Sequence, residues 1–307
     1  MKMALAVTII ISFVFCSLTV VFCYRYTKTA FDSIDRMLDA ILSKNAELPL
    51  KTVADSRISK LTNKAEKIMQ RSAMEITQIA QEKEKIQSFI SDLSHQMKTP
   101  LSGITMYNDL LLEGNITASE QQEFLSRMKT ETEKLQWMMD CLIKISRLEV
   151  GAIEISPVTD GIKQTISDSI SSVFSAASKK NITIQTADFE DVSVLQDRKW
   201  TCEAMTNILE NAVKYSQPNQ EIDIAVERLP LYTKISITDY GIGIPPDEWN
   251  LIFKRFYRGK NVKNMEGAGL GLYLASLILE KQGGYILVDS KVWHHTTFSM
   301  FLQNCKK

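Results

Sequence analysis

Three regimes of hydrophobic patterning follow one another along the chain. From Ala4 to Tyr24 the residues are apolar except for Thr8, Ser12, Ser17 and Thr19, close to the roughly 20 residues that span a bilayer. This predicts one membrane helix within residues 1–24. A short helix is expected from Phe31 to Leu42, ended before Pro49. A long polar helix then begins near Ala54 and continues into Leu112. From Ile86 its apolar positions run Ile86, Ile90, Leu93, Met97, Pro100, Ile104, Tyr107 and Leu111, alternating steps of four and three as a coiled-coil seam does. Glu113-Gly114-Asn115 ends the seam, and Thr117-Ala-Ser-Glu120 is a capping-box start for a second helix reaching about Glu149. Leu125, Met128, Leu135, Met139, Leu142, Ile145 and Leu148 form that helix's apolar face. One such hairpin cannot cover both faces, whereas hairpins from two chains can do so as a four-helix bundle, so a homodimer is expected.

Beyond residue 150 the pattern changes. Ten of the 12 glycines and five of the seven prolines lie there. Short runs at Ile182–Gln185, Ile222–Glu227, Thr233–Asp239 and Tyr285–Ser290 read as strands. Helical stretches at Asp160–Ser178, Lys199–Lys214 and Leu270–Gln282 alternate with them, which predicts an α/β sandwich. The expected organisation is multidomain: an anchor at 1–24, a helical linker resembling a signalling linker at 25–84, a dimeric hairpin at 85–149, and an α/β domain at 150–307.

Charge adds little at the global scale. Lys plus Arg (36) balance Asp plus Glu (36), so no single-sign field invites nucleic acid. Arg25, Lys28 and Arg36 follow the anchor and only Lys2 precedes it, which places the rest of the chain in the cytoplasm of a single-pass protein of the plasma membrane. The apolar run exceeds a signal-peptide core and lacks a small-residue cleavage site. No external receptor domain is expected ahead of it. Five widely spaced cysteines without C-x-x-C fit a reduced cytosol with neither a disulfide framework nor a metal site.

Candidate chemistry begins on the seam helix. With Leu93 at position d, His95 falls at f, pointing away from the bundle axis into solvent. A neutral imidazole nitrogen there can act as a nucleophile towards phosphorus. A lone exposed histidine is ordinary, and its surroundings are what single it out. Pro100 within a helix removes a hydrogen bond to the Gln96 carbonyl and should bend the helix just past His95. Thr99 lies one turn on, on the same face, where its hydroxyl could orient water or a phosphoryl group. Ser94-His95-Gln96-Met97-Lys98-Thr99-Pro100-Leu101 resembles the H box of the sensor histidine kinases of two-component systems. The resemblance implies that His95 is the phosphoacceptor on a dimeric hairpin followed by an ATP-binding domain. One departure stands out: the family usually has an acidic residue after the histidine, and Gln96 can hydrogen-bond but carries no charge.

Four further segments resemble the family's nucleotide boxes, in its order. Asn207-Ile-Leu-Glu-Asn211-Ala-Val-Lys214-Tyr215 is similar to the N box. The resemblance implies that Asn211 coordinates a Mg²⁺ bridging the phosphates, with Asn207 beside it, Lys214 on phosphate oxygens and Tyr215 near the base. Asp239-Tyr-Gly241-Ile-Gly243-Ile244-Pro245 resembles the G1 box, giving Asp239 the adenine amino group. Phe253-Lys-Arg-Phe256-Tyr-Arg258 resembles the F box, with Phe256 covering the nucleotide and Arg258 near the γ-phosphate. Gly267-Ala-Gly269-Leu270-Gly271-Leu272 resembles the G2 box opening a helix, where backbone amides hold phosphate charge. It is neither a Walker loop nor a first Rossmann turn. His294 and His295 stand where the family has a hairpin turn and read as surface loop.

The resemblance implies Mg²⁺-assisted in-line transfer of the ATP γ-phosphoryl group to His95 and then to an aspartate of a separate response regulator, with a hinge at Val150-Gly151-Ala152. Thr99 could support dephosphorylation of that regulator. Two rivals stay open. One is an ATPase of the same nucleotide fold; against it, the gyrase-like and chaperone-like relatives carry a hydrolytic glutamate where this chain has Asn207. The other is a phosphatase-dominated or non-catalytic scaffold, suggested by Gln96. Sensing is expected within the membrane, through a membrane-protein partner, or in Phe31–Lys85.

Overall fold

The computed structural model describes residues 2–42, 56–114, 116–262, 265 and 267–305. Pro49, Ala54 and Asn115, invoked above as breaks and starts, lie outside the described residues. The chain divides into two compact units, Met1–Ser88 and Phe89–Lys307.

In the first unit, α1 spans Lys2–Leu42 without interruption. The separate short helix expected at Phe31–Leu42 is therefore a continuation of the anchor helix. Arg25 and Lys28 alter solvation but do not break a helix, and no Gly or Pro intervenes. Thr8–Asp32 is long and apolar enough to cross a membrane, with a mean hydropathy of 1.9. Its hydroxyls bond within the helix, Thr19 to the Cys16 carbonyl at 2.8 Å and Thr27 to that of Cys23 at 2.9 Å, which removes unpaired donors from an apolar surface. The second helix, α2, runs Ser56–Glu113, and in this unit Ile68, Ile76, Ile79 and Ile86 are exposed along it.

The second unit begins with the remainder of α2, which continues as helix through Pro100. α3 spans Ala118–Glu149, and its N-terminus is the expected capping box: Glu120 N donates to Thr117 Oγ1 at 3.2 Å, and Thr117 N donates to Glu120 Oε2 at 2.8 Å. The apolar face of α3 gains Met138 and Cys141. Met138, Cys141, Ile145 and Leu148 are buried, whereas Leu125 and Met139 are exposed in the single chain. This end of α3 packs on the α/β domain, where Lys144 pairs with Glu203.

The α/β domain holds β1 (Val158–Gly161), α4 (Ile162–Lys179), β2 (Thr183–Thr186), β3 (Ser193–Gln196), α5 (Arg198–Tyr215), β4 (Glu221–Arg228), β5 (Tyr232–Asp239), α6 (Gly271–Lys281), β6 (Tyr285–Lys291) and β7 (His295–Gln303). The main sheet has the order β2-β4-β5-β7-β6; β2 and β4 are parallel and the other pairs antiparallel, while β1 and β3 form a small antiparallel ladder. β1, β3 and β7 escape the sequence pattern, and His295, read as loop, is the first residue of β7. Burial alternates along β5, with Thr233, Ile235, Ile237 and Asp239 turned inward. The inward isoleucines, with Ile222 and Ile224 of β4, form the face that α4, α5 and α6 cover. Period-two alternation thus delivers Asp239, at the strand's end, to the helix side of the sheet.

Candidate active site

A cleft of about 650 Å³ opens between α5, the loop after β5 and the segment preceding α6, a size typical of small-molecule sites. Asn207, Asn211, Lys214 and Tyr215 of α5 line it, one helical turn apart. α5 is fixed at its start by Asp197, which accepts from Trp200 N at 3.4 Å. Asn207 is buried, donates to the Glu203 carbonyl at 2.8 Å, and has its amide oxygen against Gly271, where a Cβ would lie 2.8 Å away. Lys214 Nζ donates to the Tyr215 hydroxyl at 3.1 Å and stands 4.7 Å from that ring's centroid.

Asp239 lines the opposite wall. It is 4% exposed, and burial pushes its carboxyl up to about 7, against the opposing pull of Gly241 N, which donates to Oδ1 at 3.0 Å. Gly241 does not itself line the cleft. Its role is close approach: a Cβ there would collide with the Tyr215 carbonyl, so the Asp239 turn and the end of α5 abut only because the side chain is missing. Gly243 and Ile244 do line the cleft, and Ile244 N is held by Ser290 Oγ at 2.8 Å.

From the last box, Gly267, Gly269, Gly271 and Leu272 line the cleft, while Leu270 is fully buried and serves as the N-cap of α6. Gly269 has φ +70 and its missing Cβ would meet backbone of Phe256 and Tyr257. Arg258 lines the cleft, and its guanidinium is bonded to the carbonyls of Val262, at 2.6 Å, and Met265. Phe256 is the residue expected to cover a nucleotide. It is buried, adopts φ 59, lies outside the cleft and packs its ring 6.0 Å from that of Phe89.

His95 and Thr99 are exposed on α2, Gln96 is half-buried and Pro100 is buried. None of the four lines the cleft; its remaining wall is α3, through Thr130, Glu133, Lys134 and Trp137. Sequence reasoning missed this wall, because the residues carry no motif and come together only through domain packing. The packing is specific. Lys144 pairs with Glu203 at 2.6 Å, and Glu149 pairs with Arg255. The Tyr273 hydroxyl donates to Glu149 and accepts from Arg255 at 2.9 Å, and Arg255 lies over the Phe89 ring at 5.1 Å. Among the described residues no cluster of three His, Cys, Asp or Glu side chains suits a metal.

Comparison with known proteins agrees with this layout. Residues 85–151 match the family described as "His Kinase A (phospho-acceptor) domain", and residues 196–305 match "Histidine kinase-, DNA gyrase B-, and HSP90-like ATPase". The sensor-like histidine kinase SenX3 of Mycobacterium tuberculosis is 30% identical over 217 residues, covering 70% of this chain and 53% of SenX3. The chain spans about half the length of the curated relatives it matches. Two solved structures share the fold. Histidine kinase ThkA in complex with response regulator protein TrrA has a TM-score of 0.59 and 18% identity over 71% of this chain and 61% of ThkA. Full-length ShkA in complex with AMPPNP has a TM-score of 0.52 and 22% identity over 72% of this chain and 47% of ShkA. A phosphoacceptor hairpin followed by a histidine-kinase-type ATPase domain defines a class, and this chain belongs to the sensor histidine kinases of two-component systems.

Proposed function

We propose that this chain is a membrane-anchored kinase that phosphorylates its own His95 from Mg-ATP and passes the phosphoryl group to an aspartate of a separate response regulator. The observation that carries this reading is the joining, in one chain, of the exposed His95 to a cleft lined by Asn207, Asn211, Lys214, Asp239 and Gly267. The cleft's chemistry suits ATP. Asp239 offers a carboxylate acceptor to an exocyclic amine, Lys214 a cation to phosphate, and the glycines leave room for phosphate beside backbone. Asn211, which lines the cleft, would hold through its amide oxygen a Mg²⁺, an ion that prefers few protein ligands and several water or phosphate oxygens. When bound, that ion neutralises phosphate charge.

In the reaction a His95 ring nitrogen forms a bond to the γ-phosphorus as the bond to the β,γ-bridging oxygen breaks and ADP leaves. Gln96 can accept a hydrogen bond from the other ring N–H and so fix the tautomer. It cannot take that proton, which goes to water. Domains at 1–24, 25–84, 85–149 and 150–307, with a hinge at Val150-Gly151-Ala152, accommodate the approach of cleft to histidine. α1 would hold the protein in the lipid of the plasma membrane, with a membrane-protein partner as the source of signal and the kinase region in the cytoplasm. A second copy would cover the exposed Leu125 and Met139.

The test is to incubate the purified full chain with γ-labelled ATP and Mg²⁺. Wild type should take up label, His95→Gln should take up none, and Gln96→Glu should label faster. Gln96 also favours a second reading, a phosphatase-dominated scaffold, and that reading takes over if ATP binds and wild type takes up no label.

A further inference from the structure

Lys180 lies outside all five sequence boxes, yet it is one of the residues lining the cleft. Its position is fixed from both sides. As C-cap of α4 its backbone N–H returns to the Ala177 and Ser178 carbonyls. Its own carbonyl accepts from Asn219 N at 3.0 Å, in the loop that follows α5. Asn181 next to it takes φ 52, and its side chain donates to the Asn219 side-chain oxygen at 3.3 Å. The lysine thus stands where the end of one helix meets the end of another.

From there the side chain reaches the last turn of α5. Nζ donates to the carbonyls of Val213 at 2.9 Å, Lys214 at 2.7 Å and Ser216 at 3.2 Å. The final carbonyls of a helix have no partner within it, and a cation there also meets the negative end of the helix dipole. An ammonium has three donors, and these three acceptors use all of them. None remains for a ligand, so Lys180 does not itself bind what enters the cleft. The carbonyl it skips, that of Tyr215, is the one against which Gly241 packs. On one side of this junction are Lys214 and Tyr215, and on the other is Asp239.

We infer that Lys180 is a positioning residue for the nucleotide site: it ties down the C-terminal turn of α5 so that Lys214 and Tyr215 face Asp239 across the cleft. The assignment rests on the nucleotide reading above. It gives Lys180 a function that Arg, which also donates several hydrogen bonds, could partly fulfil and that Met, of similar length without donors, could not.

The experiment titrates the full chain with a fluorescent ATP analogue and with ATP as competitor. It compares wild type, Lys180→Met and Lys180→Arg, each also in a Tyr215→Ala background. Lys180→Met should weaken ATP binding about tenfold by freeing the turn and unpairing its carbonyls, and Lys180→Arg should recover most of the loss. In the Tyr215→Ala background the loss from Lys180→Met should shrink to less than about threefold, because residues acting through one another are not additive. Amide exchange of the unliganded chain should quicken at residues 213–219 in Lys180→Met alone. ATP binding by Lys180→Met equal to wild type overturns the assignment. So does an equal loss in both backgrounds, which is the mark of general destabilisation. A wild-type chain that binds no ATP overturns the nucleotide reading itself, and this assignment with it.

Discussion

Asp239 ends β5 with its side chain turned towards the helices, and burial there pushes its carboxyl up to about 7 from an ordinary 3.8. The native state therefore holds a proton between about pH 4 and pH 7 that the unfolded chain has lost. Stability from this group is fully present below the lower value and is lost as pH rises through the higher, with an upper bound on the order of 4 kcal/mol. Thermal unfolding of the unliganded protein should show a falling midpoint from pH 5 to pH 8, and Asp239→Asn should flatten that fall. Nucleotide binding should run the other way. An amine donor prefers the carboxylate, so ATP affinity should rise from pH 6 to pH 8 in wild type and stay level in Asp239→Asn. Much of the cleft was legible at this scale, since the spacing of Asn207, Asn211 and Lys214 needs only helical periodicity to place them on one wall. Phe256 and Lys180 were not legible. Phe256 packs against the ring of Phe89, distant in sequence, and Lys180 bonds to carbonyls 33 to 36 residues away in sequence.

Elements with a local signature were read correctly in kind. The capping box at Thr117 is an example, and Thr117→Ala should lower the stability of the second unit by about 1 kcal/mol, seen as a reduced urea midpoint with an unchanged slope. Gly269 is another, because φ +70 and the crowding by the Phe256 and Tyr257 backbone make an added methyl doubly unfavourable. Gly269→Ala should weaken ATP binding more than tenfold while the sheet keeps its far-ultraviolet circular dichroism. Short strands failed for a physical reason. β1, Val158–Gly161, holds a single apolar residue and β3, Ser193–Gln196, has its two side by side, so neither shows an alternation, and β7 is buried on both faces over Phe298 to Leu302, which erases the alternation. After Tyr24 the composition changes from apolar to charged while the backbone continues as one helix, so composition alone does not mark the helix end.

At the scale of the whole molecule, the cleft is walled by α3 whereas His95 is on α2 and outside the cleft. No periodicity or motif announces that arrangement. The contact of Glu149, Arg255, Tyr273 and Phe89 holds it, and on the proposed reading phosphoryl transfer would need it to part. Arg255→Ala should speed limited proteolysis at residues 150–157 and raise the rate of self-phosphorylation several-fold, since the released domain samples His95 more often. The exposed apolar residues of α2 and α3 call for a second chain, and sedimentation of the detergent-solubilised protein should give a dimer.

On the proposed reading, phosphorus moves from ATP to one imidazole. Trypsin should release that site as the peptide Ile86–Lys98, which holds Ser88, Ser91 and Ser94 beside His95. After incubation with Mg-ATP and digestion at alkaline pH, mass spectrometry should find one added phosphoryl group on this peptide, mapped to His95, stable in base and lost in acid. An acid-stable, base-labile modification on one of the serines, or an unmodified peptide while ATP is consumed, would contradict the account.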